Sequence, residues 1–145
     1  MTHSVLILNG PNLNMLGSRE PDVYGSETLD DLEKLCQARA AEMGLNIDFR
    51  QTNSEGELVD WIQTAATDHA AIILNAGAYT HTSIAIADAL RACGCPVIEV
   101  HLSNIFQREE YRHKSYVSEI AQGVICGFGS KGYELSLEAA KRLIN

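Results

Sequence analysis

Five short strand-like runs, separated by segments of helical period, constrain the fold of this chain more than any other feature. Residues 5–8 and 70–74 are uninterrupted apolar runs, as in strands that are buried on both faces. The segment after residue 28 repeats apolar residues every three or four positions, which is typical of an amphipathic helix. This alternation predicts a parallel sheet with helices on both faces, joined by right-handed crossovers.

Capping residues and glycines set the predicted element boundaries. Thr28 and Ser54 are N-cap residue types followed by acidic residues, while Gly44 and Gly94 mark helix ends. Five strands in 145 residues favour a flavodoxin-like three-layer α/β sandwich with a parallel sheet of order 2-1-3-4-5, in one domain over residues 1–145. We predict strands at residues 4–9, 45–49, 70–74, 97–102 and 124–126, and helices at 29–43, from 55, at about 82–92 and at 135–144.

The composition excludes several classes of partner. The net charge is −8, so we expect no binding to nucleic acid or to an anionic membrane. The sequence shows no leader pattern and no run of about 20 apolar residues, so neither a signal peptide nor a membrane span is expected. The cysteines are expected to be buried, reduced thiols of a cytoplasmic protein. They are Cys36, Cys93, Cys95 and Cys126.

Polar residues follow the first and third predicted strands, at the rim where parallel sheets bind ligands. In the order 2-1-3-4-5 these two strands lie at the switch point, and ligands bind beyond their carboxyl ends. Asn12 and Asn75 follow the two strands and can donate amide hydrogen bonds. Asn also suits tight turns, but the place of these two residues at the switch point favours ligand contact.

Glu99 and His101 are two positions apart in the fourth strand, so their side chains leave the same face. A carboxylate beside an imidazole fixes the ring tautomer and favours the imidazolium, which is a better proton donor. The simpler interpretation is a satisfied polar pair near a strand end. Because this strand runs to the predicted ligand rim, we favour a functional pair.

A long polar loop after the first strand carries a cation and a phenol, Arg19 and Tyr24. Loops of this length are usually functional or disordered. A phenol has a pKa of about 10, so it is a weak base at neutral pH unless a nearby cation stabilises the phenolate. Arg19 is the candidate cation. Both residues can equally be exposed loop residues, and the sequence leaves the two interpretations open.

Ser103 follows the fourth strand and can cap a helical turn that starts near Asn104. Free N–H groups at a helix start bind anions, so a substrate carboxylate can sit on the amides of Leu102 and Ser103. A simple N-cap is compatible with the same position. Residues 103–118 then form a charged segment, typical of a solvated helix face with local pairs such as Glu110–Lys114. One arginine of this segment can reach back to an anion, but the spacing does not show which one.

His81 lies near the start of the predicted third helix, beside the loop of Asn75, and is therefore a site candidate. Asp88 lies on the same helix face seven positions later, but Arg91 is three positions further on, so a surface ion pair is the default. Residues 127–132 match Gly-x-Gly-x-x-Gly. A dinucleotide site needs an acidic strand about 20 residues further on, and none is predicted, so we expect a tight turn. No spacing suggests a P-loop or a metal site.

Four long motifs stand in order along the chain. They are Ile7-Leu8-Asn9-Gly10-Pro11-Asn12-Leu13-Asn14, then Leu16-Gly17-Ser18-Arg19-Glu20-Pro21 with Tyr24-Gly25, then Asn75-Ala76-Gly77-Ala78-Tyr79-Thr80-His81-Thr82-Ser83, and Glu99-Val100-His101-Leu102-Ser103-Asn104. Over nearly the whole chain, the sequence resembles type II 3-dehydroquinate dehydratase. No motif position departs from the family pattern, and Leu102 stands where the family accepts other aliphatic residues.

The resemblance implies dehydration of 3-dehydroquinate to 3-dehydroshikimate in the shikimate pathway, by anti elimination through an enolate, in a single catalytic domain without cofactor or metal. It implies that Tyr24 is the base and that Arg19 stabilises its phenolate. It implies that Asn12 helps to hold the enolate, and that His101, supported by Glu99, protonates the departing hydroxyl. The substrate-binding residues that it implies are Asn75, His81, Asp88, Leu102, Ser103 and Arg112.

Asp88 is similar to a family residue that reaches the site of a neighbouring subunit, which replaces the expectation of a simple surface pair. The resemblance thereby implies a homo-oligomer, in the family a dodecamer of trimers. The alternative function is a non-catalytic flavodoxin-like module that binds a small anion or a partner protein. A flavin electron carrier is a further rival.

Overall fold

A parallel five-stranded sheet forms the centre of the computed structural model, which describes residues 3–18, 22 and 26–144. Its strand order is β2-β1-β3-β4-β5, and the registers of all four neighbouring pairs are parallel. The predicted order 2-1-3-4-5 is thereby confirmed. The strands are β1 Ser4–Asn9, β2 Asn46–Gln51, β3 Ala71–Asn75, β4 Val97–His101 and β5 Gly123–Cys126.

Three α-helices begin at side chains that cap their first turns. Thr28 accepts a hydrogen bond from the Asp31 amide and donates its own amide to the Asp31 carboxylate, which completes a capping box. Ser54 and Ser83 each accept a bond from an amide three residues on. The helices are α1 Leu29–Glu42, α2 Glu55–Asp68, α3 Ile84–Cys93 and α4 Lys131–Ile144.

Two helix starts differ from the prediction. Helix α3 begins at Ile84 because Gly77–His81 forms a separate 3-10 helix and Ser83 provides the cap. Helix α4 begins four residues earlier than expected, and its first turn contains Gly132. A Cβ at Gly132 would lie 3.3 Å from Val100 Cγ2, so this glycine allows the helix to pack closely on β4.

The sheet separates two apolar layers, because successive side chains of each strand point to opposite faces. In β1, Val5 and Ile7 face one layer while Leu6 and Leu8 face the other. All four are fully buried, and burial of such a side chain contributes roughly 1.5–3 kcal/mol. The first layer is completed by α1 and α4 through Leu32, Cys36, Ala40, Tyr133, Leu137 and Ala140, and the second by α2 and α3 through Leu58, Ile62, Ala65, Ile86 and Leu90.

Two glycines bring the loops after β1 and β3 together. The Gly10 amide donates to the Asn75 carbonyl at 2.8 Å, and a Cβ at Gly10 would lie only 2.4 Å from the Ala76 oxygen. Gly77 has φ 59°, and a Cβ there would lie 3.2 Å from the Pro11 oxygen. The close approach fixes the two switch-point loops against each other.

The charged segment after β4 is not the continuous helix face that we expected. It contains three short 3-10 helices, Ile105–Gln107, Glu110–Arg112 and Val117–Glu119. Asn104, rather than Ser103, caps the first of them, because its side chain accepts a bond from the Phe106 amide.

The ion pairs of this segment also differ from the expected Glu110–Lys114 pair. Glu109 instead pairs with Arg112 at 2.9 Å, and the Lys114 ammonium lies 4.8 Å from the centre of the Tyr116 ring. Among the residues described, no helix combines the length and apolar character needed to cross a bilayer.

Candidate active site

A cavity opens at the carboxyl ends of β1, β3 and β4, at the predicted rim of the sheet. It encloses about 660 Å³ with its open mouth included. The loops held together by Gly10 and Gly77 form one wall, and the segment after β4 forms the other. Seven of the residues predicted from the sequence line it: Asn12, Asn75, His81, His101, Leu102, Ser103 and Arg112.

Glu99 and His101 form the pair that their spacing predicts. Both lie in β4, Glu99 is fully buried, and His101 is 5% exposed. Nε2 of His101 hydrogen-bonds to Oε2 of Glu99. Nδ1 is therefore the ring nitrogen that remains for a ligand in the cavity.

Hydroxyl groups surround the Glu99 carboxylate. Ser118 donates to Oε1 at 2.5 Å and Ser115 donates to Oε2 at 2.8 Å, while Thr80 Oγ1 lies 3.2 Å from Oε2. Burial alone would raise the pKa of Glu99, but the bonds from His101, Ser118 and Ser115 outweigh it and hold the pKa below its usual value. Glu99 is thus an anion at neutral pH and an acceptor for the proton of His101 Nε2.

His81 stands beside His101 and has a lowered pKa. Their ring centroids are 6.5 Å apart and the rings are inclined by 16°. His81 Nδ1 lies 2.8 Å from the Lys114 carbonyl, so Nδ1 carries the proton and Nε2 is an acceptor. Burial lowers the pKa of His81, and the nearby charges of His101 and Arg112 lower it further. A neutral His81 can therefore accept a bond from a ligand hydroxyl.

The two switch-point asparagines are held by neighbouring polar groups. Asn12 adopts φ 69°, a left-handed conformation that Asn tolerates, and its amide donates to Asn53 Oδ1 at 3.0 Å. Asn75 donates to the Tyr133 hydroxyl at 2.9 Å and accepts from the Gly77 amide at 3.2 Å. Turn chemistry and a place on the cavity wall therefore coexist at both positions.

Leu102 and Ser103 present backbone N–H groups near two arginines. Within the described residues, neither amide donates a hydrogen bond to another group. Arg112 lines the same cavity, and its guanidinium is held by Glu109 at 2.9 Å. Arg108 also lines the cavity, with its Nε 3.8 Å from Glu109 Oε1. Unused amides beside two guanidinium groups suit a carboxylate ligand.

Four predicted residues are not among the described residues of the cavity wall. Glu99 is fully buried and bonded to His101. Arg19 and Tyr24 lie outside the described residues. Asp88 lies on α3, its side chain is 67% exposed, and it pairs with Arg91 at 3.4 Å. His81 and Asp88 do not share one helix, because His81 belongs to the preceding 3-10 helix.

Comparisons with known proteins agree with this geometry. The family model described as "Dehydroquinase class II" matches residues 3–141. The chain belongs to the class II dehydroquinase family. The 3-dehydroquinate dehydratase of Rhizobium johnstonii is 54% identical over 143 residues, which is 99% of each chain. That of Azorhizobium caulinodans is 56% identical over 139 residues, or 96% of this chain and 94% of the relative.

Solved structures of the same family share the fold of this chain. The type II dehydroquinase from Propionibacterium acnes superposes with a TM-score of 0.94 at 48% identity, covering 98% of both chains. The one from Butyrivibrio crossotus also gives a TM-score of 0.94, at 39% identity, covering 96% of this chain and 97% of the other.

Several residues at the site of this dehydroquinase family member were not singled out from the sequence. Arg108 was one of several candidates in a charged segment. Tyr133 is fully buried, donates to Asn9 Oδ1 at 2.6 Å and accepts from Asn75, so it fixes the orientation of both amides. Serine and threonine hydroxyls carry no comparable sequence signal. Across the described residues, no group of three or more His, Cys, Asp or Glu side chains is placed to hold a metal ion.

Proposed function

We propose that this class II dehydroquinase converts 3-dehydroquinate into 3-dehydroshikimate, the hydro-lyase reaction for which its family is named, in the shikimate pathway of aromatic amino acid biosynthesis. The observation that carries the proposal is the Glu99–His101 pair, whose imidazole lines the cavity beside two arginines and two amides that have no acceptor among the described residues. Anti elimination of water needs a base, an acid and donors for an enolate. The described residues supply the acid and candidate donors.

His101 is the proposed acid. Its Nε2 is bound to anionic Glu99, so the imidazolium gives its Nδ1 proton to the departing hydroxyl. The C–O bond breaks, its electron pair leaves with the oxygen, and water is released. The neutral imidazole that remains keeps its proton on Nε2 and donates it in the hydrogen bond to Glu99. Proton donation of this kind contributes typically about 10²–10⁴-fold in rate.

Tyr24 is the proposed base, with Arg19 stabilising its phenolate. The support for these roles is the family motif in the sequence, because both residues lie outside the described part of the chain. The phenolate removes a proton from the carbon beside the ketone, and the electron pair of that bond forms the enolate. Asn12, fixed at the end of β1, is the proposed donor to the enolate oxygen.

Substrate binding is assigned to groups on both walls of the cavity. The amides of Leu102 and Ser103, with Arg112, suit the substrate carboxylate. Asn75 and neutral His81 suit its hydroxyls, because one has a remaining N–H and the other an acceptor nitrogen.

We extend the proposal to assembly and location. The outward position of Asp88 on α3 is compatible with a role at the site of a neighbouring subunit, in a homo-oligomer that we propose to be a dodecamer. Light scattering tests this, with a single-chain mass contradicting it. A cytoplasmic location is supported by the free thiols of the four cysteines, within a single catalytic domain.

A direct assay tests the reaction. Purified wild-type protein is mixed with 3-dehydroquinate, and the absorbance of the conjugated enone product is followed. We expect turnover by wild type and, in Tyr24→Phe, unchanged substrate binding with turnover lost. A near-normal rate in Tyr24→Phe would remove Tyr24 as the base. Borohydride added with substrate should not inactivate the protein, whereas trapping on a lysine would replace the enolate mechanism with a Schiff base.

A further inference from the structure

Two serine hydroxyls bind the fully buried carboxylate of Glu99 from the segment after β4. Ser115 and Ser118 lie 16 and 19 positions from Glu99 in the sequence. Each oxygen of the carboxylate has its own serine, since Ser118 donates to Oε1 and Ser115 to Oε2. His101 binds the same Oε2. The carboxylate is therefore hydrogen-bonded both by His101 on β4 and by two serines of the segment after β4. Its protonation state depends on both sets of partners.

Counting the hydroxyl protons gives a direction to every bond in the cluster. Ser115 Oγ uses its one proton on Glu99 at 2.8 Å. It then accepts from the Ser118 amide at 3.3 Å and from Thr80 Oγ1 at 2.7 Å. Thr80 is 3.2 Å from Glu99 but 2.7 Å from Ser115, so its proton is better used on Ser115. Ser118 is left with its hydroxyl proton for Oε1.

This arrangement favours an ionised Glu99. His101, Ser115 and Ser118 can all donate to the ionised carboxylate, whereas a proton on Oε1 or Oε2 would require one of these groups to become the acceptor. With Glu99 ionised, the proton of its bond to His101 lies on Nε2. Hydrogen bonds to a charged acceptor are stronger than those between neutral groups, so the cluster favours that state.

We infer that Ser115 and Ser118 are positioning residues for the elimination: their hydroxyls hold Glu99 as an anion, which keeps His101 Nε2 protonated and turns Nδ1 towards the substrate. Thr80 supports them by fixing Ser115. The inference rests on the proposed function, in which His101 is the acid. Neither serine lines the cavity, so both act through Glu99.

Other titratable and charged groups near Glu99 and His101 can affect the titration of Glu99. His81 lies 6.5 Å from His101, measured between ring centroids, and Arg112 acts on His81 from the opposite wall. Of these two, Arg112 is a cation and His81 is neutral. Both are retained in serine variants, so a change in Glu99 titration in those variants belongs to the lost hydroxyls.

The experiment compares Ser118→Ala, the double variant Ser115→Ala/Ser118→Ala, Ser118→Thr and Ser136→Ala. Ser136 is the matched control, because its buried hydroxyl also makes one strong bond, to the Gly132 carbonyl at 2.7 Å, but does not touch Glu99. Ser118 is exposed, so its alanine variant opens no buried cavity and should fold.

Two readouts separate positioning from simple structural support. One is the pH profile of kcat with 3-dehydroquinate. The other is the ¹³C NMR titration of the Glu99 carboxyl, assigned with Glu99→Gln, which requires no turnover. Removing a donor from an anion raises its pKa. We expect the Glu99 titration and the acidic limb to move up by about one pH unit in Ser118→Ala, and further in the double variant.

The remaining variants sharpen the result. KM should stay within about twofold of wild type, because neither serine contacts substrate, while kcat on the acidic limb falls roughly tenfold in the double variant, since Glu99 is then protonated at a higher pH. Ser118→Thr should restore the wild-type titration, and Ser136→Ala should leave it unchanged. An unmoved Glu99 titration in Ser118→Ala and the double variant would overturn the inference. So would an equal shift in Ser136→Ala. If wild type does not turn over substrate, the proposed function fails, and the NMR titration still decides whether the hydroxyls hold Glu99 as an anion.

Discussion

The described residues include two buried histidines that are bonded to carboxylates, and one of these histidines lines the cavity. At the carboxyl end of β4, His101 Nε2 binds Glu99, and the ring lies on the wall of the cavity. Beside the amino end of β3, His69 Nε2 binds Asp48 Oδ2 at 3.1 Å. Both rings are almost fully buried, since the side chains are 6% and 5% exposed. The same two chemical groups therefore occur in two different surroundings.

The difference lies in what holds the carboxylate and what the second ring nitrogen meets. Asp48 is held mainly by Arg50, whose bond lowers the pKa of that carboxyl, and this leaves its charge already paired. Nδ1 of His69 is buried without a hydrogen-bond partner among the described residues. Glu99 has hydroxyls instead of an arginine, and its histidine has a cavity. The hydroxyls around the carboxylate and the cavity beside the imidazole thus make the Glu99–His101 pair a candidate acid.

The largest expected effect is a difference in kcat between variants of His101 and variants of His69. We expect His101→Gln to lower kcat by about 10²–10⁴-fold, because it removes the proposed proton donor, whereas His69→Gln keeps kcat within about twofold. The measurement is steady-state turnover of 3-dehydroquinate, with circular dichroism to check folding. Comparable losses in the two folded variants would erase the functional distinction between the pairs.

An intermediate effect on stability is expected at Tyr133, whose buried hydroxyl is hydrogen-bonded, whereas Nδ1 of His69 has no partner among the described residues. Tyr133→Phe removes the hydroxyl that joins Asn9 and Asn75. Each amide then keeps a buried, unpaired group, so we expect a loss of about 1–3 kcal/mol in unfolding free energy. Urea titration measures it, and KM for substrate should rise because Asn75 is no longer fixed.

A different outcome in Tyr133→Phe would contradict this role of the hydroxyl. Unchanged stability together with unchanged KM in Tyr133→Phe would show that the Asn75 amide is oriented without Tyr133. The matched control is Tyr79→Phe, which removes an exposed hydroxyl bonded to the Asn53 carbonyl at 2.7 Å and should cost less stability.

The smallest expected effect is in acid stability. The pKa values of Glu99 and Asp48 are both lowered in the folded chain. Each ionised carboxyl therefore contributes stability that is fully present above its unfolded pKa, about 4.5 and 3.8, and is lost as pH falls through its lower folded pKa. Glu99→Gln and Asp48→Asn should each flatten this acid-side fall, as measured by urea titrations between neutral pH and about pH 3. A fall as steep as wild type in either variant would remove that pair from the acid response.

The fold was predictable because its signals are periodic. The apolar runs of β1 and β3, and caps such as Thr28 and Ser54, specify elements without reference to distant residues. The start of α4 was missed because Gly132 reads as a turn residue, although its missing side chain serves the contact with β4. The helical turn near Asn104 was predicted, but the other short 3-10 helices were missed because three to five residues have no measurable period.

The candidate site was predictable where one strand brings its residues together, as with Glu99 and His101. It was not predictable where contacts join distant segments. The hydroxyls of Thr80, Ser115 and Ser118 reach Glu99 from 16 to 19 positions away. Only the folded chain shows that they converge on one carboxylate.

Through the fully buried Tyr133, helix α4 contributes to the site, although it is distant in sequence from β1 and β3. It bonds Asn9 at the end of β1 and Asn75 at the end of β3, while α4 follows every other described element in the chain. During synthesis on the ribosome, the sheet and its rim emerge before this helix does. A nascent protein would therefore gain a correctly ordered pocket only after its final helix has docked.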